Sequence, residues 1–251
     1  MKKQKTTQDK GITQYFGDNL AKILAEKIKV VYTDFDSKTY IENIKEKCVD
    51  LGYTKRIELH AQELKQLLPN SYPQAVNILM QILGEENPNE TGMFKEFYWI
   101  MPIGKFVEKY GLDNFDISIQ AIEEITKRNT GEYAIRAFIR KYPQKTVGIM
   151  KKWSKSDNFH LRRLASEGLR PKLPWATKLE TFIQNPKPVF HILQNLMEDD
   201  IKFVKKSVAN NLTDYLKVNK KEAVKFIKKY QSSENKNTQW IIKYATRKIK
   251  I

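Results

Sequence analysis

The 251-residue chain has one cysteine, Cys48, so no disulfide can form within it, and a reducing compartment is expected. Its three histidines, His60, His160 and His191, are scattered and lack the His/Cys/carboxylate spacing of a metal site, so no metal is expected. No apolar run approaches the roughly 18 residues that span a bilayer. The basic start, Met-Lys-Lys-Gln-Lys-Thr-Thr-Gln-Asp-Lys, is not followed by the apolar stretch of a secretion signal. A soluble cytoplasmic protein without a membrane partner is the expectation. Neither common glycine-rich phosphate loop is present, and Ser166 has no base partner in the sequence, so neither a nucleotide cofactor nor a hydrolase triad has support. The period-two alternation of a half-buried strand hardly occurs.

What is present is helical. Glycine and proline are sparse, at 10 and 9, while lysine, isoleucine, leucine, glutamate and alanine abound. Apolar spacing predicts helices at about 18–31, 39–50, 56–68, 72–83, 92–109 and 116–128, with turns at 68–73 and 84–89. In the second half a pattern recurs. One helix carries apolar residues such as Val147, Met150 and Trp153, then Val189, Ile192, Leu193 and Leu196, then Val224, Ile227 and Tyr230. A polar turn follows each (154–158, 198–200, 232–237), and then a basic helix: Leu161-Arg-Arg-Leu, Val204-Lys-Lys-Ser, Trp240-Ile-Ile-Lys. Leu161, Val204 and Trp240 are 43 and 36 residues apart, near the period of HEAT or armadillo helix pairs. The expected fold is all-α, an α-solenoid of HEAT-like repeats forming one domain over 1–251, with the basic second helices lining a concave face.

Charge divides the chain. The formal net charge is +16, yet residues 1–125 carry 16 Lys/Arg against 19 Asp/Glu, and residues 126–251 carry 29 against 10. The first part is neutral to acidic, the second strongly cationic at +19. Such asymmetry points to a polyanion partner, foremost nucleic acid. Single cations among Lys151, Lys152, Lys155, Lys202, Lys205, Lys206, Lys228 and Lys229 are phosphate contacts or solvated faces, and none is informative alone.

The most telling segment is 160–176, His-Leu-Arg-Arg-Leu-Ala-Ser-Glu-Gly-Leu-Arg-Pro-Lys-Leu-Pro-Trp-Ala. Arg162, Arg163, Arg170 and Lys172 surround one carboxylate, Glu167, in the last turn of a helix before the Gly168–Pro171–Pro174 break. Glu167 either pairs with Arg163 and Arg170, four residues before and three after, or does chemistry on something cationic. A second carboxylate, Glu132 in Asn-Thr-Gly-Glu-Tyr-Ala-Ile-Arg, has a structural reading too: Asn129 as N-cap with Glu132 at the third helical position makes a capping box, and Arg136 lies one turn on. Trp175 follows Leu173-Pro174, where a helix cannot continue. It is either core or an aromatic that stacks on a base or sugar.

Leu161-Arg-Arg-Leu-Ala-Ser-Glu-Gly-Leu-Arg-Pro-Lys-Leu-Pro-Trp-Ala resembles the signature of the AlkC-type DNA alkylation repair enzymes, relatives of the AlkD-type HEAT-like-repeat glycosylases. Tyr110-Gly-Leu-Asp-Asn-Phe-Asp-Ile-Ser, Glu132-Tyr-Ala-Ile-Arg-Ala-Phe-Ile, Val208-Ala-Asn-Asn-Leu-Thr-Asp and Trp240-Ile-Ile-Lys-Tyr-Ala-Thr-Arg resemble family segments in the same order, so the likeness covers nearly the whole chain. Ala137 stands where a proline is common and Leu169 where a threonine is common; neither touches a carboxylate. The resemblance is to the short form, without an immunoglobulin-like domain.

The resemblance implies a monofunctional glycosylase that excises cationic N-methylated bases, 3-methyladenine and 3-methylcytosine, from double-stranded DNA in base excision repair. It implies no cofactor, a monomer, and a damaged base that is not flipped into a pocket. The family's essential carboxylates fall on Glu132 and Glu167. Arg136, Arg162, Arg163, Arg170, Lys172 and Trp175 are expected at the DNA, with Asp214 orienting one of the arginines. Two rivals stand beside this reading: a non-catalytic repeat protein that binds bent, branched or damaged DNA, and a protein-binding scaffold, which the cationic half disfavours.

Overall fold

The structure, a computed structural model, describes residues 11–92 and 94–249. Every regular element among them is helical, and no strand occurs, in keeping with the expected all-α class. No helix among them is long and apolar enough to cross a membrane. The described residues form two compact units, one from 11–85 and 94–125, the other from Glu86–Gly92 and 126–249.

The first unit holds α1 (Asp18–Val31), α2 (Ser37–Lys47), α3 (Tyr53–Leu67), α4 (Tyr72–Gln81), α5 (Phe94–Phe97), α6 (Met101–Tyr110) and most of α7 (Phe115–Thr126). The single helix expected over 92–109 is broken. Tyr98–Ile100 winds as a 3-10 turn, and α6 restarts beside Pro102, whose missing N–H suits only a first turn. In the Tyr110-Gly-Leu stretch, Gly111 is obligatory. A Cβ there would overlap the hydroxyls of Ser118 and Tyr72, which lie 2.7 Å apart, and the Ser118 Oγ donates to the Gly111 carbonyl at 2.8 Å.

Between α2 and α3 the Tyr40 hydroxyl meets His60 Nδ1 at 2.8 Å, both side chains being fully buried. Burial lowers the His60 pKa to about 4. The unfolded chain therefore takes up this proton first, near the ordinary value of about 6.5. The stability His60 contributes is complete above that pH and is lost as pH falls toward 4. In denaturant titrations the stability gap between wild type and His60→Gln should shrink by about 2–3 kcal/mol between pH 7 and 4.5. A constant gap would mean that His60 is not held neutral.

The second unit holds α8 (Ala134–Lys141), α9 (Pro143–Trp153), α10 (Phe159–Glu167), α11 (Glu180–Gln184), α12 (Lys187–Gln194), α13 (Lys202–Val218), α14 (Lys220–Lys228) and α15 (Lys236–Thr246). The three expected pairs are α9/α10, α12/α13 and α14/α15. Proline opens α9 and α12 in the first turn. The polar turns supply caps: Asn158 accepts from the amides of His160 and Leu161, and Asn235 from those of Asn237 and Thr238. The second helices pack side by side, α10 on α13 and α13 on α15, while α9 and α12 pack against α10 and α14 packs against α13. Thr213 Oγ1 reaches the Ala245 carbonyl at 3.0 Å across the α13–α15 seam, and Thr238 Oγ1 ties α15 to the Met197 carbonyl, in the turn after α12, at 3.0 Å.

Candidate active site

The site grows from the α10–α13 seam. Leu161, Leu164 and Ala165 bury one side of α10, and the three-and-four spacing of the helix carries Arg163 and Glu167 toward α13. The helix ends at Gly168, where α8 and α9 leave no space for a side chain. A Cβ on Gly168 would lie 2.8 Å from Ile135 Cγ2 and 3.0 Å from Met150 Cε. That approach is tighter than van der Waals contact allows, so glycine ends the Ser-Glu-Gly run for lack of room.

Across the seam α13 presents Ser207, Asn211 and Asp214, three polar residues at i, i+4 and i+7, all buried. Ser207 Oγ donates to Glu167 Oε2 at 2.7 Å. Asn211 donates to the Ser166 carbonyl at 2.7 Å. Arg170 spans two carboxylates, giving Nη1 to Glu167 Oε1 and Nε to Asp214 Oδ2, both at 2.8 Å.

Arg163 joins the two candidate carboxylates. Its Nη1 lies 2.6 Å from Glu132 Oε2 and its Nη2 lies 3.5 Å from Glu167 Oε1. Thr130 Oγ1 accepts from Arg163 at 3.0 Å and donates to Glu132 Oε2 at 3.0 Å, and the guanidinium lies over the Phe203 ring, 5.0 Å from its centroid. Burial is the largest influence on Glu167 and raises its pKa, but Arg163, Arg170 and the Ser207 hydroxyl together outweigh it and hold the carboxyl below its ordinary value. Burial likewise opposes the charge of Arg163, and Glu132 and Glu167 more than restore it. Asp214 is shifted the other way: burial lifts its pKa against the pull of Arg170.

The structure places the expected site residues as follows. Glu132 is not the third residue of a capped helix. α8 begins at Ala134, and it is the Thr130 hydroxyl that accepts the Glu132 amide, at 3.2 Å. Arg136, expected at DNA, is only 1 % exposed, its guanidinium given to the carbonyls of Gly168, Arg170 and Thr177. Burial is the main reason its pKa falls to about 10. Arg162 points away from its neighbour, ties Asp199 at 2.7 Å and donates to the carbonyls of Ser156 and Asp157. Arg163 and Arg170 face carboxylates rather than solvent. Of the expected DNA contacts, Lys172 and Trp175 project outward; Trp175 is 83 % exposed. Its φ of 59° is left-handed, a conformation costing a non-glycine residue about 1–2 kcal/mol. Sequence reasoning missed Thr130, Ser207 and Asn211. For the latter two a signal existed: a polar i, i+4, i+7 stripe running on to Asp214 along one face of the helix.

A cavity of about 420 Å³ opens against the Arg163–Glu167–Ser207 part of the cluster, lined also by Phe203 and Asn210, with Lys202, Lys206, Glu90 and Thr91 in its wall. Glu90 and Thr91 come from the 86–92 segment. His160 Nε2 and the Asn87 carbonyl, 3.0 Å apart, and the Asn87 amide bond to the Lys127 carbonyl secure it. The turn predicted at 84–89 thus leads into the wall of the site. No group of three or more His, Cys, Asp or Glu among the described residues could hold a metal ion.

Residues 103–249 match the family model described as DNA alkylation repair enzyme. The chain is 32 % identical over 237 residues to the uncharacterised protein YhaZ of Bacillus subtilis (strain 168), covering 94 % of this chain and 64 % of YhaZ. Among solved structures it is similar to the alkylpurine DNA glycosylase AlkC of Pseudomonas fluorescens, bound to DNA containing an abasic site analog. There the TM-score is 0.84 at 31 % identity, over 94 % of this chain and 63 % of that one. The chain thus spans slightly under two thirds of the length of each, and it shares the helical-repeat fold of AlkC.

Proposed function

The chain belongs to the DNA alkylation repair enzyme family, and from that membership we propose that it is a DNA glycosylase. Its substrates would be cationic N-alkylated bases, 3-methyladenine and 3-methylcytosine, in double-stranded DNA. The observation that carries the reading is the bridge from Arg163 to Glu132 and Glu167 at the edge of a lysine-rimmed cavity. Ring methylation makes the base a cation that departs neutral, so no strong general acid is needed. Positive charge develops instead on the deoxyribose, as in other glycosidic cleavages. Both oxygens of Glu167 are engaged, by Arg163 and Arg170 on one and Ser207 on the other, which suits a fixed negative charge complementary to that cation. Glu132 uses Oε2 for its bonds to Arg163 and Thr130 and accepts none at Oε1 among the described residues. That oxygen can accept a proton from the attacking water. We read the protein as a cytoplasmic monomer built of HEAT-like repeats, holding duplex DNA along the α10–α13–α15 row.

Incubation with methylated duplex DNA, followed by chromatography of the freed bases, tests the reading. Release of 3-methyladenine supports it. Tight binding with every base still attached would favour the second reading, a repeat protein that recognises bent or damaged DNA without cutting a bond. That alternative draws on one fact, that both oxygens of Glu167 already have protein partners.

DNA affinity should be electrostatic, with log affinity falling by about 0.9 per log salt for each phosphate neutralised. Lys202 and Lys206 are the exposed cations of the cavity wall. Changing both to glutamine should flatten the salt slope by about 2 in titrations of undamaged duplex. An unchanged slope would place the phosphates elsewhere.

A further inference from the structure

We infer that Arg136 is a positioning residue that presets the 168–177 loop and so fixes Trp175 as an aromatic contact for DNA beside the site; the inference rests on the DNA reading above. Arg136 is the largest of the fully buried side chains, an unusual place for a permanent cation. Its Nη1 donates to the carbonyls of Gly168 at 3.0 Å and Arg170 at 2.8 Å, and its Nη2 to that of Thr177 at 2.6 Å. One turn later Arg140, exposed at the rim, donates to the same Thr177 carbonyl at 3.0 Å and to the Thr177 hydroxyl. The loop is therefore gripped at both ends from α8.

Between the grips the backbone closes on itself. The Leu179 amide donates to the Pro171 carbonyl at 3.2 Å, and that of Ala176 to the Leu173 carbonyl at 3.2 Å, while Pro171 and Leu173 are buried. Held in this frame, Trp175 combines a left-handed backbone with an exposed indole. A side chain needed only for the core would be inside, and a loop free to relax would give up the strained φ. A planar five-donor fork spans three carbonyls at once; a lysine ammonium does not reproduce that geometry. Arg136 also sits one residue from Ile135, the side chain that leaves no room for a Cβ at Gly168, directly after Glu167. One helix thereby packs against the residue after the carboxylate and holds the loop that bears the aromatic.

The test is a double-mutant cycle of Arg136→Lys with Trp175→Ala, read both in affinity for a duplex holding an abasic-site analogue and in melting temperature. Trp175→Ala should weaken binding about tenfold, as for loss of one stacking aromatic. Arg136→Lys should weaken it comparably in the wild-type background and hardly further in the Trp175→Ala background. Its effect on melting temperature should be the same in both. Independent, multiplying losses of affinity would overturn the inference, as would full affinity in a folded Arg136→Lys protein. If Arg136→Lys does not fold, Arg140→Gln, which loosens the exposed grip on Thr177, takes its place in the cycle with the same criterion. Base release by wild type is scored separately: its absence would sink the glycosylase reading while the affinity cycle still decides Arg136.

Discussion

Glu167→Gln protein should fold, bind duplex DNA at least as tightly as wild type, and release 3-methyladenine about 10² or more times slower. The structure explains why fold and function separate here. When Glu167 loses its charge, Arg170 keeps Asp214 and Arg163 keeps Glu132, so neither guanidinium is left without a carboxylate. Glutamine preserves the shape and can still face Ser207. What disappears is the negative charge, and a preorganised group of that kind is worth about 2.7–4 kcal/mol in the transition state. Glu132→Gln should act likewise, and the pair changed together should lose far less than the product of the single losses, because the two act as a unit. The double variant also leaves Arg163 without a carboxylate, so its melting temperature should fall further than either single change. Normal release by a stable Glu167→Gln protein would end the catalytic assignment.

Arg163→Met should cost nearly as much activity, by a different route. Glu132 loses its cation and is left with Thr130 alone, while Glu167 keeps Arg170 and Ser207 but no longer has a guanidinium linking it to Glu132. Release should drop by about 10²–10³, the range for one preorganised electrostatic group. Breaking the buried pairs should also lower stability by about 3 kcal/mol. Affinity for undamaged duplex should change little, since the guanidinium is given to Glu132, Thr130 and Glu167. This reverses what the cationic run in the sequence suggested, namely a phosphate contact whose loss weakens damaged and undamaged DNA alike. Binding titrations on intact duplex decide it, and a large loss there would return Arg163 to the phosphates.

That reversal marks how far the sequence could be read. Helix pairs were legible because their signals are local: asparagine caps at 158 and 235, prolines opening α9 and α12, apolar residues every three or four positions. The carboxylates stood out because they oppose a cationic background. What the arginines do is not local. Arg162 and Arg163 are chain neighbours, yet a helix turns them about 100° apart, one to Asp199 in the next turn, the other to Glu132 and Glu167. Arg136 was read outward, and only the tertiary approach of α8 to Gly168 reveals its three carbonyl partners. The capping-box alternative for Glu132 fails although its spacing is satisfied on paper, because α8 starts only at Ala134 and the Glu132 amide goes to the Thr130 hydroxyl.

The stripe of Ser207, Asn211 and Asp214 carries one more consequence. The site's anions and their supports belong to consecutive repeats, so its geometry depends on rotational phase between two helices as much as on residue identity. One residue added to α13 ahead of Ser207 would swing the whole stripe by about 100°, taking the Ser207 hydroxyl from Glu167 and Asp214 from Arg170 together while leaving every residue type in place. A residue added in a stretch of turn that makes no such bond would alter only the length of chain between helices. Change in this protein is therefore constrained in phase along α13 and tolerated best in turn positions that neither cap a helix nor bond an arginine.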